Sequence, residues 1–231
     1  MLHKSFISNI EIYSDQWNKL RLGRLTSSKM SAIMGEKPFQ TGAMSYLYQK
    51  AGESVTGQTL AEDEGPIEDE NTVWGLQTEP EAINLFGKSR GLKYLVVQKL
   101  IFDPAGKSSS TPDALWIIDS SVIQEDCYNV ATVEVKCPRK YHRFFPLYAC
   151  DTPAKLKKGY SSYYWQVLDQ MLSCNSSLGY FVCYHPLFPV GKNFRVIEFR
   201  KIDLWEDFKL LQQRKDSAIV KLNELILEFK K

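Results

Sequence analysis

The sequence is poor in paired cysteine, in histidine and in long apolar runs, and each shortage removes a class of function. Its five cysteines, at 127, 137, 150, 174 and 183, are odd in number and scattered, with no CxxC pair. That excludes a zinc ribbon and a thioredoxin-type redox motif. Five dispersed thiols fit a reducing compartment. The three histidines, His3, His142 and His185, are too dispersed for a histidine-based metal site, and no Ser-His-Asp or Cys-His arrangement is suggested. No GxxxxGK[ST] segment occurs, so ATP use is not expected. Apolar runs stop at five residues, far short of the roughly 20 a membrane span needs. The opening segment MLHKSFISNIEIYSDQW has no apolar signal region and no cleavage-site pattern, so a soluble cytoplasmic protein is expected.

What is present is ordinary globular composition, 44% apolar and 24% charged, which rules out intrinsic disorder and low complexity. At about 150 residues per domain, the 231 residues suggest one domain, 1–231, with insertions. Net charge is only +2, so a globally basic binder is not indicated, but the charges are unevenly placed. Six acids fall between Glu62 and Glu70, and residues 53–70 read as an acidic, solvated loop. After Pro138 the balance reverses. Arg139, Lys140, Arg143, Lys155, Lys157 and Lys158 face a single acid, Asp151.

Helices are predicted near 14–20, after the Thr26-Ser27-Ser28 cap, at 43–51, and at 71–87, with Pro80 as a kink or a start. Strands are predicted at 94–101, 113–118 and 130–137, the last two joined as a hairpin through 119–126. A helix at 160–174, strands at 178–184 and 193–201, and an amphipathic helix at 203–231 follow. That last helix places Leu204, Phe208, Leu211, Ala218, Leu222, Leu225 and Phe229 at helical steps. The economical architecture is α/β (α+β), a central mixed sheet flanked by helices.

The chemistry concentrates in Thr132-Val-Glu-Val-Lys-Cys-Pro138. On a strand, residues two apart share a face, so Glu134 and Lys136 lie side by side, opposite Val133 and Val135. Charges kept in mid-domain, where burial is costly, are often functional, although a plain salt bridge on a sheet face would look the same. Asp113, at the start of the partner strand, would stand beside Glu134. Two carboxylates with an adjacent lysine form a hard, oxygen-rich cation site. Mg²⁺ suits it, activating water and stabilising charge on a phosphodiester. Lys136 could orient the water or neutralise the phosphorane.

The Asp113-(x)20-Glu134-x-Lys136 spacing, preceded by Pro112, is the pattern of PD-(D/E)xK nucleases. Further segments extend the likeness: Trp17-Asn-Lys-Leu-Arg-Leu-Gly-Arg-Leu-Thr-Ser-Ser28, Trp74-Gly-Leu-Gln-Thr-Glu79, Ser110-Thr-Pro-Asp-Ala-Leu115, Val133-Glu-Val-Lys-Cys-Pro138, and Tyr164-Trp-Gln-Val167 with Tyr180-Phe-Val-Cys-Tyr-His-Pro186. In this order they resemble lambda exonuclease and the YqaJ-type viral recombinase nucleases. The likeness implies a restriction-endonuclease-like core. It makes Asp113, Glu134 and the Val135 carbonyl the metal ligands, and Lys136 the catalytic lysine. Glu79 would hold water or a second Mg²⁺, its Trp-Gly-x-x-x-Glu spacing selecting it over Glu81. Gln166 would support Lys136 and the water. Arg21 and Ser28, with Arg24 as a further candidate, would bind a 5′-phosphate, a role that a helix N-terminus and bidentate donors also favour. Ala114 departs from the glycine common in the family, a small change that leaves metal binding intact.

Beyond the likeness, Arg139, Lys140 and Arg143 are placed to meet DNA phosphates. Tyr160, Tyr163, Tyr164 and Trp165 could stack on bases, with at least half expected in the core. The function implied is a Mg²⁺-dependent 5′→3′ exonuclease on double-stranded DNA ends, with Mn²⁺ as a substitute metal. It would form a trimeric ring, work with a single-strand annealing protein and be encoded by a phage or prophage. The alternatives are a PD-(D/E)xK endonuclease and an inactive DNA-end-binding scaffold. Intact catalytic positions argue against the scaffold.

Overall fold

The computed structural model describes residues 6–7, 10–12, 14–59, 70–91, 95–97, 99–103, 106–118 and 130–229. The predicted hairpin turn at 119–126 and most of the acidic loop lie outside them. Strands are β1 (Phe6–Ile7), β2 (Leu25–Thr26), β3 (Leu95–Val97), β4 (Leu100–Phe102), β5 (Ser108–Ser110), β6 (Ala114–Ile117), β7 (Val130–Lys136), β8 (Leu178–Tyr184) and β9 (Phe194–Arg200). Helices are α1 (Asp15–Arg21), α2 (Thr41–Thr56), α3 (Glu70–Arg90), α4 (Tyr141–Tyr148), α5 (Pro153–Gly159), α6 (Ser161–Ser173) and α7 (Trp205–Phe229).

The main sheet has the order β3-β6-β7-β8-β9, with β7 and β8 parallel and the other neighbours antiparallel. Its middle strand, β7, alternates as its sequence requires. Ala131, Val133 and Val135 join Ala82, Ile83 and Phe86 of α3 in one apolar cluster. Glu134 and Lys136 face the other side, toward α6. Behind α6 lies the larger core, built with α2, α7 and the outer sheet residues Phe181, Ile197 and Phe199. Each apolar side chain buried there contributes about 1.5–3 kcal/mol.

The single central sheet expected from the sequence is supplemented by a second, smaller one of order β1-β4-β5-β2. The one strand expected over 94–101 is two, because β3 pairs with β6 in the main sheet while β4 pairs with β5 in the small one. The loop expected from residue 53 begins later. Helix α2 runs through Thr56 and stops at Gly57, whose φ of 69° suits glycine. Glu53 is buried there by Lys50 and by the Gly23 N–H. Pro80 neither starts nor ends α3. It sits on the exposed face, where the carbonyl it leaves unpaired can meet water. Ser27–Ile33 is a 3₁₀ helix, tighter than the α-helix expected. The basic segment after Pro138 folds as α4 and α5, the latter capped by Thr152. Among the described residues no helix is long and apolar enough to cross a membrane.

Gly179 lets α6 approach β8: a Cβ built there would lie 2.6 Å from Met171 Sδ and 3.1 Å from Thr132 Oγ1. Gly179→Ala should therefore lower unfolding stability by about 1–3 kcal/mol. An unchanged urea midpoint would contradict this close approach.

Candidate active site

Pairing of Ala114 with Val133 sets Asp113, just before β6, beside Glu134. The Val135 N–H donates to Asp113 Oδ2 at 2.6 Å, tying that carboxylate to the middle strand. Glu134 is only 1% exposed. A buried carboxylate is costly unless its oxygens are occupied, and here both are. Lys136 Nζ and Gln166 Nε2 donate to Oε1, the latter at 2.6 Å, while Gln170 Nε2 donates to Oε2. Gln166 and Gln170 stand one turn apart on the same face of α6. Lys136 Nζ also lies 5.4 Å from the Tyr163 ring centroid.

The electrostatics follow from this crowding. Burial, then the neighbouring Glu134 and Glu79, push the Asp113 carboxyl well above its usual range, against the pull of Lys136. Burial opposes the charge on Lys136, but Glu134 and Asp113 outweigh it and raise that ammonium above its ordinary value. Burial raises the Cys137 thiol to about 12, against its hydrogen bond with Thr78.

Asp113, Glu134, Lys136, Gln166, Glu79, Arg21 and Ser28 all line one cleft of ≈ 320 Å³. Arg21 stacks its guanidinium 3.7 Å from the centroid of Trp17, one turn earlier on α1. A second cleft of ≈ 480 Å³ shares Glu79 and Lys136 with the first and adds Val135, Arg139, Arg143 and Tyr163. Lys140 lies on a neighbouring open surface with Arg139 and Tyr141. Arg24 is not brought into the cleft. Its guanidinium donates to the carbonyls of Leu20 and Gly106 and stacks on Phe102. Of the four aromatics, Tyr164 and Trp165 are core, while Tyr160 and Tyr163 stack on each other and line the second cleft.

Gln170 was not singled out from the sequence. Its signal was the Gln166-x-x-x-Gln170 spacing, which repeats an amide one turn along a helix. Ser27, buried next to Ser28, was likewise passed over as a cap.

Among the described residues no group of three or more His, Cys, Asp or Glu is disposed to hold a metal ion. The donor set of Asp113 and Glu134 nonetheless suits a hard divalent cation. The two residues are cross-strand neighbours, and their mutual repulsion is what such an ion would relieve. Mg²⁺ in particular binds through one or two carboxylates, completing its shell with water and substrate phosphate.

The fold itself, a mixed sheet flanked by helices, is shared with solved exonucleases. The alkaline exonuclease LHK-Exo from Laribacter hongkongensis is similar, with a TM-score of 0.70 and 18% identity over 94% of this chain and 96% of that one. Its complex with dAMP gives 0.71 and 19%, with the same coverage. A phage-related exonuclease from Haemophilus somnus 129PT gives 0.65 and 17% over 89% of this chain and 96% of that one. No curated protein sequence matches. The model of the YqaJ-like viral recombinase domain matches residues 16–177, and the chain belongs to that family.

A thiol raised to about 12 is almost wholly protonated at pH 8. Cys137 should therefore alkylate far more slowly than an exposed thiol at pH 8, by peptide mapping after iodoacetamide, and faster as pH rises. Labelling at the rate of a free thiol would contradict a Cys137 thiol raised this far.

Proposed function

We propose that this chain is a divalent-metal-dependent exonuclease that hydrolyses one strand of double-stranded DNA, 5′→3′, from 5′-phosphorylated ends. The observation that carries the reading is the meeting of Asp113, Glu134 and Lys136 in one cleft with Arg21 and Ser28. Carboxylates and an ammonium are the groups that phosphodiester hydrolysis needs, and an arginine near an exposed serine suits a terminal phosphate.

Asp113, Glu134 and the Val135 carbonyl would hold Mg²⁺, or Mn²⁺ in its place, with Glu79 at a second ion or through water. When bound, the ion supplies a polarised phosphoryl oxygen and an activated water. The chain's own residues do the rest. The ammonium of Lys136 orients the attacking water and offsets charge on the phosphorane. Gln166 and Gln170 keep Glu134 from turning away. Arg21 offers a planar fork, already stacked on Trp17, to the terminal phosphate, and Ser28 adds a hydroxyl. Arg139, Lys140 and Arg143 meet phosphates of the duplex as it approaches, so binding would weaken with salt.

The family membership supports placing this activity in phage-type recombination. The reading takes residues 1–231 as one nuclease domain, acting in the bacterial cytoplasm from a phage or prophage gene. It further takes the enzyme as a homotrimeric ring that hands its product to a single-strand annealing protein.

A linear duplex with 5′-phosphate on one strand and 5′-hydroxyl on the other tests the activity. Selective loss of the phosphorylated strand with Mg²⁺, none with EDTA, and none with Lys136→Ala despite retained DNA binding is expected. Internal cuts indifferent to the end would indicate an endonuclease instead. End binding without cleavage would indicate a scaffold.

A further inference from the structure

Two charged side chains that the proposed hydrolysis does not use are buried together behind the cleft. Asp169 is 0% exposed and Lys215 2%. Lys215 Nζ donates to Asp169 Oδ1 at 2.8 Å, and the Ser27 hydroxyl donates to Asp169 Oδ2 at 2.6 Å. Three elements far apart in sequence meet at this carboxylate: the 3₁₀ helix that begins at Ser27, α6, and α7.

The position of Asp169 on α6 gives the contact its consequence. It follows Gln166 by three residues and precedes Gln170 by one, and those two amides hold Glu134. One helix therefore grips the catalytic carboxylate on one side and the Ser27–Ser28 segment on another. That segment is fixed further by the Thr26 N–H, which donates to the Tyr46 hydroxyl at 2.7 Å, and by the pairing of Thr26 with Ser109.

An apolar pair of similar volume would fill the same space, often at no loss of stability. It would not give the Ser27 hydroxyl an acceptor. A carboxylate does, and a carboxylate so deeply buried requires the Lys215 ammonium beside it. The specific gain from the ion pair is thus the placement of Ser27, and with it of Ser28, relative to Glu134.

We propose that Asp169 and Lys215 are positioning residues, which through the Ser27 hydroxyl set the wall of the cleft that receives the phosphorylated DNA end. This rests on the end-binding reading given above. The distance from end pocket to metal ligands is then fixed by α6, and the C-terminal helix is part of the site although it touches no substrate.

The test compares wild type, Ser27→Ala, Ser27→Thr and the double variant Asp169→Leu with Lys215→Met, all with Mg²⁺. Each is assayed on duplexes ending in 5′-phosphate or 5′-hydroxyl, with thermal midpoints measured alongside. Losing one charge-assisted hydrogen bond should raise KM at phosphorylated ends about tenfold, with kcat within about twofold, and cut the phosphate preference by a similar factor. Ser27→Thr, which keeps the hydroxyl, should restore it. The double variant leaves the Ser27 hydroxyl in place, so the same loss there locates the effect in the ion pair. Should that variant fail to fold, the Ala and Thr variants decide between them. A wild-type preference retained in Ser27→Ala would overturn the inference, as would equal changes on both kinds of end. A wild type with no preference would overturn the end-binding reading and this inference with it, an outcome visible before any variant is examined.

Discussion

A carboxylate buried on the central strand of a sheet, at the floor of a cleft, is the constraint from which the rest of this structure follows. Glu134 sits on the central strand with almost no exposure, and leaving its charge unmatched there would cost several kcal/mol. The offset comes from one ammonium and two amides, and both amides belong to α6. That helix must therefore lie close to β7 and in one register. The bare backbone of Gly179 permits the approach, and Met171 fills the space that a side chain would take. Once α6 is placed, its other faces are placed too, and the larger core with α2 and α7 forms around them.

The two clefts give this arrangement a direction. They share Leu76, Glu79 and Lys136, and Lys136 is the group that orients the attacking water in the proposed mechanism. One leads to Arg21 and Ser28, the other to Arg139 and Arg143. A chain threaded past the lysine would thus have its phosphate end on one side and a basic, aromatic-lined path on the other. Along that path Tyr163 is sandwiched between Tyr160, 5.8 Å between centroids, and Phe181, 5.7 Å away, so Tyr160 forms the outer end of the stack.

Much of the site was legible because its residues are ordered by short-range rules. Strand alternation put Glu134 and Lys136 on one face, and the hairpin brought Asp113 alongside, as the register confirms. The ends of α1, α3, α6, β8 and β9 fell within a few residues of expectation. What was missed depends on partners far along the chain. Residues 94–101 look like one strand until β5 and β6 claim different halves. Arg24 looks like a phosphate ligand beside Arg21 until the Gly106 carbonyl takes it. Lys215 interrupts the apolar stripe of α7 between Leu211 and Ala218, and only Asp169, forty-six residues earlier, explains why a lysine faces inward there. Gln170 was in plain view as a helical neighbour of Gln166, but an amide declares no role until the carboxylate it serves is in place.

The central claim is that Asp113 and Glu134 form one cation site, and direct metal binding tests it most closely. Electron paramagnetic resonance would follow Mn²⁺ titrated into the Lys136→Ala protein with a phosphorylated duplex bound, and into the same protein carrying Asp113→Asn. The account predicts saturable Mn²⁺ binding that Mg²⁺ displaces and that Asp113→Asn abolishes or greatly weakens. Undiminished binding in the Asp113→Asn protein, or no saturable binding in its parent, would contradict it.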